Sequence, residues 1–347
     1  MNKKRILSLA LMGALLTGSA FAMEKPVTIA DQGSFMAGGT IVEKDGKTLH
    51  GDHAYVFYQK PVKAHKYGLV FLHGAGQSGK TWETTPDGRD GFQNIFLERG
   101  YATYVVDQPR RGKAGLSTVP GKYEPAYADQ MWYNIGRTGE YPNAFPGVQA
   151  PIENGALDQS FRFGTPNVAD FDAEVISDAM AVVFEKSGDG IFVTHSQGGG
   201  IGWLTAMKSS HVKGIISLEP GSGFLFPEGE VPETMVSSSP FGNLSGTAIP
   251  KEEFEKLTKM PILLIYGDNI PRGDQPVPQW GQDNWRVRLN MARLWVEAVN
   301  RHGGNAQLIH LPEIGIYGNT HSLMSDLNNV DVANVMEKWI KEQKLGR

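Results

Sequence analysis

Short, unbroken apolar runs recur along this chain, separated by longer stretches whose apolar positions return every three or four residues. The run at 67–72 has the length and continuity of a strand covered on both faces, 260–266 reads as another buried strand, and 101–106, 191–193, 213–218 and 306–311 as further strands. Between them, Val168, Phe171, Val175, Ile176, Ala179, Val182 and Val183 fall on one face of a helix spanning 168–186. A short helix over 92–99 stops at Gly100. Another follows residue 196 and runs to about 209. A third, after Trp285, carries Met291, Leu294, Trp295, Ala298 and Val299 and ends at Gly303-Gly304. Val335, Met336, Trp339 and Ile340 mark a closing helix. Two leading strands, at 35–42 and 54–58, flank a turn at 44–47 and belong at a sheet edge. Strand alternating with helix predicts an α/β domain built on one doubly wound, mostly parallel sheet.

Two stretches break the alternation. Residues 113–166 lose periodicity and gather aromatics, among them Tyr123, Tyr127, Trp132, Tyr133, Tyr141, Phe145, Phe161 and Phe163. This is an inserted lid, whose aromatics either line an acyl or aryl pocket or pack the insert itself. Trp132, together with Trp82 from the loop after the run at 67–72, is a candidate substrate contact. Residues 221–258, with Pro227, Pro232, Pro240 and Pro250, form a second irregular insertion. The amino terminus is a targeting segment: Lys3, Lys4 and Arg5 precede an apolar stretch at 6–16, and Ala20-Phe21-Ala22 supplies small residues for a signal peptidase. Cleavage after Ala22 and export, to the periplasm or beyond, are expected, leaving a single domain at 23–347 with no stable membrane insertion.

Composition narrows the chemistry. A formal charge of −4 with no basic stripe argues against a nucleic-acid partner, and zero cysteines remove thiol nucleophiles, thiolate metal sites and disulfides. No His-x-x-x-His or clustered carboxylate pattern points to a metal, so a metal-free, cofactor-free enzyme acting on a small molecule is expected.

The chemistry centres on residues 190–200, where an apolar strand runs into Thr194-His195-Ser196-Gln197-Gly198-Gly199-Gly200. A strand, a tight elbow and a helix would leave the Ser196 hydroxyl at the tip of the turn. Thr194 departs from the small first residue of the usual Gly-x-Ser-x-Gly elbow, and that departure also motivates an inactive, binding-only alternative. His73-Gly74-Ala75-Gly76, ending an earlier strand, is where half an oxyanion hole would form, with the N–H groups of Ala75 and Gln197 as donors. Residues 74–81 also fit the letters of a phosphate-binding P-loop. The Pro86- and Gly88-bearing stretch that follows is not the helix such a loop needs.

A serine needs a base, and the base needs an acid. Of the histidines after Ser196, His211 and His302 sit before strands and His310 lies inside one, which leaves His321 in the loop after the last strand. Two acids compete: Asp268 after the penultimate strand, and Glu219 after the strand that follows the serine. Local sequence leaves them even.

Phe71-Leu72-His73-Gly74, residues 81–88, Val106-Asp107-Gln108, His195-Ser196-Gln197, residues 217–221 and Gly318-Asn319-Thr320-His321 together resemble a small group of secreted bacterial esterases within the α/β-hydrolase fold. The resemblance runs from about residue 35 to the carboxyl terminus and is weakest in the lid. It implies Ser196 as nucleophile, Glu219 as acid and His321 as base, without the first elbow glycine. It also implies a homodimer. Ester, lactone, thioester and polyester hydrolysis would share this machinery.

Overall fold

The computed structural model describes residues 26–346. The expected leader at 1–22 lies outside the described residues. Eight strands form one sheet: β1 (Ile29–Ala37), β2 (Ala54–Pro61), β3 (Gly68–Leu72), β4 (Thr103–Asp107), β5 (Gly190–His195), β6 (Val212–Leu218), β7 (Pro261–Tyr266) and β8 (Asn305–His310). Their order in space is β1-β2-β4-β3-β5-β6-β7-β8. β2 pairs antiparallel with β1 and β4, and every later pairing is parallel.

The unbroken apolar runs follow from burial on both faces. In β5, Ile191 and Val193 enter one core cluster and Phe192 the other; in β7, Leu263 and Ile265 oppose Ile262 and Leu264. One face is covered by α4 (Ala173–Ser187), α5 (Gly198–Lys208) and α6 (Trp280–Arg301), where Trp203 and Trp295 stack with ring centroids 4.3 Å apart. The other carries α1 (Phe92–Glu98) and α7 (Asn329–Glu342). Because the strands from β3 onward are parallel, their carboxyl ends share one edge of the sheet, where ligands of such folds collect.

Three expectations are corrected. The turn at 44–47 does not join two sheet strands; it closes a separate exposed hairpin, Thr40–Lys44 with Lys47–Gly51, between β1 and β2. Helix α4 starts at Ala173, not 168. Asp172 caps it by accepting from the Glu174 and Val175 N–H groups, so Val168 and Phe171 stay in the preceding loop and are exposed. Helix α6 begins at Trp280, ahead of Trp285. The stretch 113–166 contains two short helices, α2 (Asp129–Ile135) and α3 (Ala156–Arg162), and the stretch 221–258 holds a small parallel pair, Leu225–Pro227 with Thr247–Ile249.

Candidate active site

At the end of β5 the chain turns so sharply into α5 that Ser196 adopts φ +56°, a left-handed conformation costly for a residue with a β-carbon. The surroundings hold it there. Its N–H donates to the Leu218 carbonyl (3.0 Å), and its own carbonyl accepts from the Gly199 and Gly221 N–H groups. A β-carbon on Gly199 would lie 2.5 Å from Pro220 Cβ, and one on Gly198 would lie 3.0 Å from the His73 carbonyl oxygen. The bulk of Thr194 is accommodated across the turn. Its hydroxyl donates to Ser217 Oγ (2.9 Å), and its methyl faces Gly202 of α5, where a β-carbon would come within 3.2 Å. The space usually made by a glycine before the serine is made here by a glycine six residues after it.

The loop after β3 lies against this elbow. A β-carbon on Gly74 would meet Ser196 Cβ at 2.7 Å, so only glycine allows the approach. Buried Arg111 donates to the carbonyls of Gly74 (2.8 Å) and Gln77 (3.0 Å), while Asp107 accepts from the Gly79 N–H (2.7 Å). His73 donates through Nδ1 to the Gly74 carbonyl, and its Nε2 accepts from the Gln108 N–H; burial, aided by Arg111, brings its pKa down to about 3, so the ring is neutral. The P-loop reading finds no support here. Gly79 N–H is spent on a carboxylate, and Lys80 bonds the Thr84 carbonyl and lies over the Phe163 ring. By contrast, among the described residues the N–H groups of Ala75 and Gln197 donate to no loop or cap carbonyl, whereas those of Gly74, Ser196 and Gly199 are all taken.

His321 sits in the loop between β8 and α7. Its Nδ1 lies 2.6 Å from Glu219 Oε2, which leaves Nε2 for the cavity that it lines together with Ser196. The imidazole is sandwiched between the Trp285 ring (4.0 Å) and the His195 ring (4.4 Å). Its backbone N–H donates to the Gly136 carbonyl, and its carbonyl accepts from His195 Nε2. Burial lowers the pKa of His321; Glu219 opposes this, and Arg137 and Arg288 add to it. The loop itself is pinned by fully buried Asp326, which accepts from Thr320 N–H, Thr320 Oγ1 and Asn319 Nδ2.

Glu219, following β6, also takes a left-handed backbone (φ +46°) and is fully buried. Oε1 accepts from the Gly267 N–H (2.7 Å) and Arg137 Nη2; Oε2 accepts from Arg137 Nη1 (2.9 Å) and faces His321. Burial alone would raise its pKa, but Arg137 and His321 outweigh burial and bring it down to about 2. Asp268 is turned elsewhere: its carboxylate accepts from the Gly318 and Asn269 N–H groups and shapes the His321 loop from a distance.

A cavity of about 160 Å³ opens above Ser196 and His321. Its walls come largely from the inserted segment, including Trp132, Tyr133, Ile135, Ile152, Leu157, Phe161 and Phe163, with Ala75 and Gly76 opposite. Among the described residues Asp129 is the one carboxylate in the lining, and no lysine or arginine lines it. Trp132 is thus a wall of the cavity. Trp82 is not: it is fully buried beneath the site, packed on Phe71 and Phe92 and edge-on to His195, and that candidate substrate contact is withdrawn. Among the described residues no group of three or more histidines and carboxylates is placed to hold a metal ion.

Sequence reasoning overlooked Arg137, Trp285 and the ring of His195. Arg137 and Trp285 belong to no spaced motif, and their roles depend on the insert folding back onto the sheet. His195 lies in the elbow motif, but its ring's contact with His321 depends on the loop after β8.

A family model described as the alpha/beta hydrolase family matches residues 69–317. A probable secreted lipase, phiG, of a fungal species (strain ATCC 74256) is 26% identical over 317 residues, covering 80% of this chain and 82% of that protein. A solved structure of a novel bacterial esterase superposes with a TM-score of 0.74 at 28% identity, over 92% of this chain and 98% of the other.

Proposed function

Because this chain belongs to the alpha/beta hydrolase family and is related to esterases and lipases, we propose that it is an exported serine carboxylic-ester hydrolase acting through Ser196, His321 and Glu219. Ser196 Oγ attacks the ester carbonyl carbon while His321 Nε2 takes its proton. The same proton passes to the departing alkoxide, leaving an acyl-serine. Water, deprotonated by His321, then cleaves the acyl bond and releases the acid. Glu219 holds the imidazole and offsets the charge it gains. The otherwise unspent N–H groups of Ala75 and Gln197 receive the oxyanion, each such donor being worth about 3 kcal/mol in the transition state.

The observation that carries this reading is the 2.6 Å contact from Glu219 to His321 Nδ1, with the other edge of the ring in the cavity shared with the elbow serine. The substrate class follows from the walls. The volume is close to the roughly 150 Å³ apolar cavity known to hold one benzene ring, and among the described residues no lysine or arginine lines it to bind an anionic head. Neutral esters of short aliphatic or single-ring acids fit best.

The choice of acid is tested by substitution. Glu219→Gln should lower kcat on p-nitrophenyl butyrate by about 10³-fold or more, and Asp268→Asn by far less. The reverse order would move the acid to Asp268.

A further inference from the structure

Three consecutive residues, the last of α2 and the two after it, contact Trp285, His321 and Glu219 in turn. The Ile135 carbonyl accepts from the Trp285 indole N–H (2.6 Å), the Gly136 carbonyl accepts from the His321 N–H (2.8 Å), and Arg137 grips both oxygens of Glu219. Arg137 has a left-handed backbone (φ +59°), is fully buried, spends Nε on the Asp268 carbonyl (2.8 Å) and lies over the Trp285 ring. Ile135 and Gly136 line the substrate cavity as well. Stability alone does not account for such a pair, since a buried ion pair is often no better than apolar side chains of the same volume.

We propose that Arg137 is a positioning residue of the active centre: its two-pronged grip on Glu219 fixes the carboxylate that orients His321, and so makes docking of the inserted segment a condition for a working base. This rests on the Ser196–His321–Glu219 reading and extends it to a residue outside the three.

The charge arrangement yields a readout. With neutral His321, Glu219 and Arg137 balance; protonating the ring then creates an uncompensated buried cation. Other groups facing the pair are Arg288 on α6, the His195 ring from β5, the Tyr266 hydroxyl (bonded to the Pro220 carbonyl), His310 at the end of β8, Asp268 after β7 and Asp326 below the loop. None of them bonds Glu219, so removing Arg137 exposes the ring to an unshared carboxylate and favours the imidazolium.

The test is the pH profile of kcat/KM on p-nitrophenyl butyrate for the mature wild-type chain, Arg137→Met and Arg137→Lys. In Arg137→Met the acid limb should move upward by about one pH unit or more. In Arg137→Lys the charge persists but the planar fork is lost, so the limb stays while kcat drops about tenfold or more. A uniform loss in Arg137→Met with an unmoved limb overturns the proposal. Should Arg137→Met fail to fold, the lysine variant decides: a retained limb with reduced kcat and unchanged KM supports the proposal, and wild-type kcat or a displaced limb overturns it. Hydrolysis surviving in Ser196→Ala would sink the serine reading itself, an outcome distinct from any of these.

Discussion

Gly74 makes room beside Ser196 and Gly202 beside Thr194 two residues earlier, and each does so by lacking a methyl group. Alanine at 74 would place its β-carbon 2.7 Å from Ser196 Cβ and 3.0 Å from His195 Nδ1. Both neighbours are held, so the hydroxyl must shift. Gly74→Ala should lower kcat by about 10²-fold with an unchanged far-ultraviolet circular dichroism spectrum; activity within twofold of wild type would show that the contact does not set the geometry. Ser196 and His321 were legible from strand-end position. Thr194 looked like a defect, because its compensation by Gly202 runs across the helix rather than along the sequence. Glu219 and Asp268 were equal by position and differ in orientation, which local sequence does not encode. Arg137 left no trace: an arginine inside an aperiodic insert reads as a surface charge until the fold buries it.

At the scale of elements, the inserted segment and the His321 loop shape the site between them. The sequence of the insert does not distinguish cavity-lining from packing aromatics, and the structure divides them: Trp132, Tyr133, Phe161 and Phe163 line the cavity, while Tyr123 and Tyr127 are exposed. Trp132 packs over Gly76, and its truncation lengthens the cavity at that end. Across p-nitrophenyl esters, Trp132→Ala should shift the preferred acyl chain by about two or more carbons; an unchanged profile would remove Trp132 from the acyl site. The His321 loop hangs on Asp326, whose pKa burial raises to about 7 despite three donors. A raised carboxyl pKa means that the folded state holds the proton more tightly, so its stabilising contribution is complete below about 4 and is lost as pH rises towards about 7. Asp326→Asn keeps one acceptor oxygen for the Thr320 N–H and Asn319 Nδ2, turns an amide N–H toward the Thr320 hydroxyl and removes the charge. Its melting temperature relative to wild type should therefore rise across that interval. A constant difference from pH 4 to pH 8 would contradict this.

For the whole molecule, the alternation of apolar runs sufficed for the sheet. Six runs gave β3 to β8. Burial on both faces keeps β3, β7 and residues 191–193 of β5 apolar, while the edge strand β8 still shows through Ala306, Leu308 and Ile309 despite exposed Asn305 and Gln307. The antiparallel edge was less legible, since the exposed hairpin between β1 and β2 carries strand-like residues with no sheet to join. What the sheet supplies is proximity: Glu219 touches His321, and His321 and Ser196 line one cavity, because β5, β6 and β8 end at the same edge and the insert after β4 closes over them. The most direct test is to treat the mature protein with a fluorophosphonate and locate the adduct by mass spectrometry of its peptides. The account predicts a single phosphonylated residue, Ser196, with loss of esterase activity in proportion to labelling. Complete inhibition with the adduct elsewhere, or full labelling of Ser196 with activity intact, would contradict it.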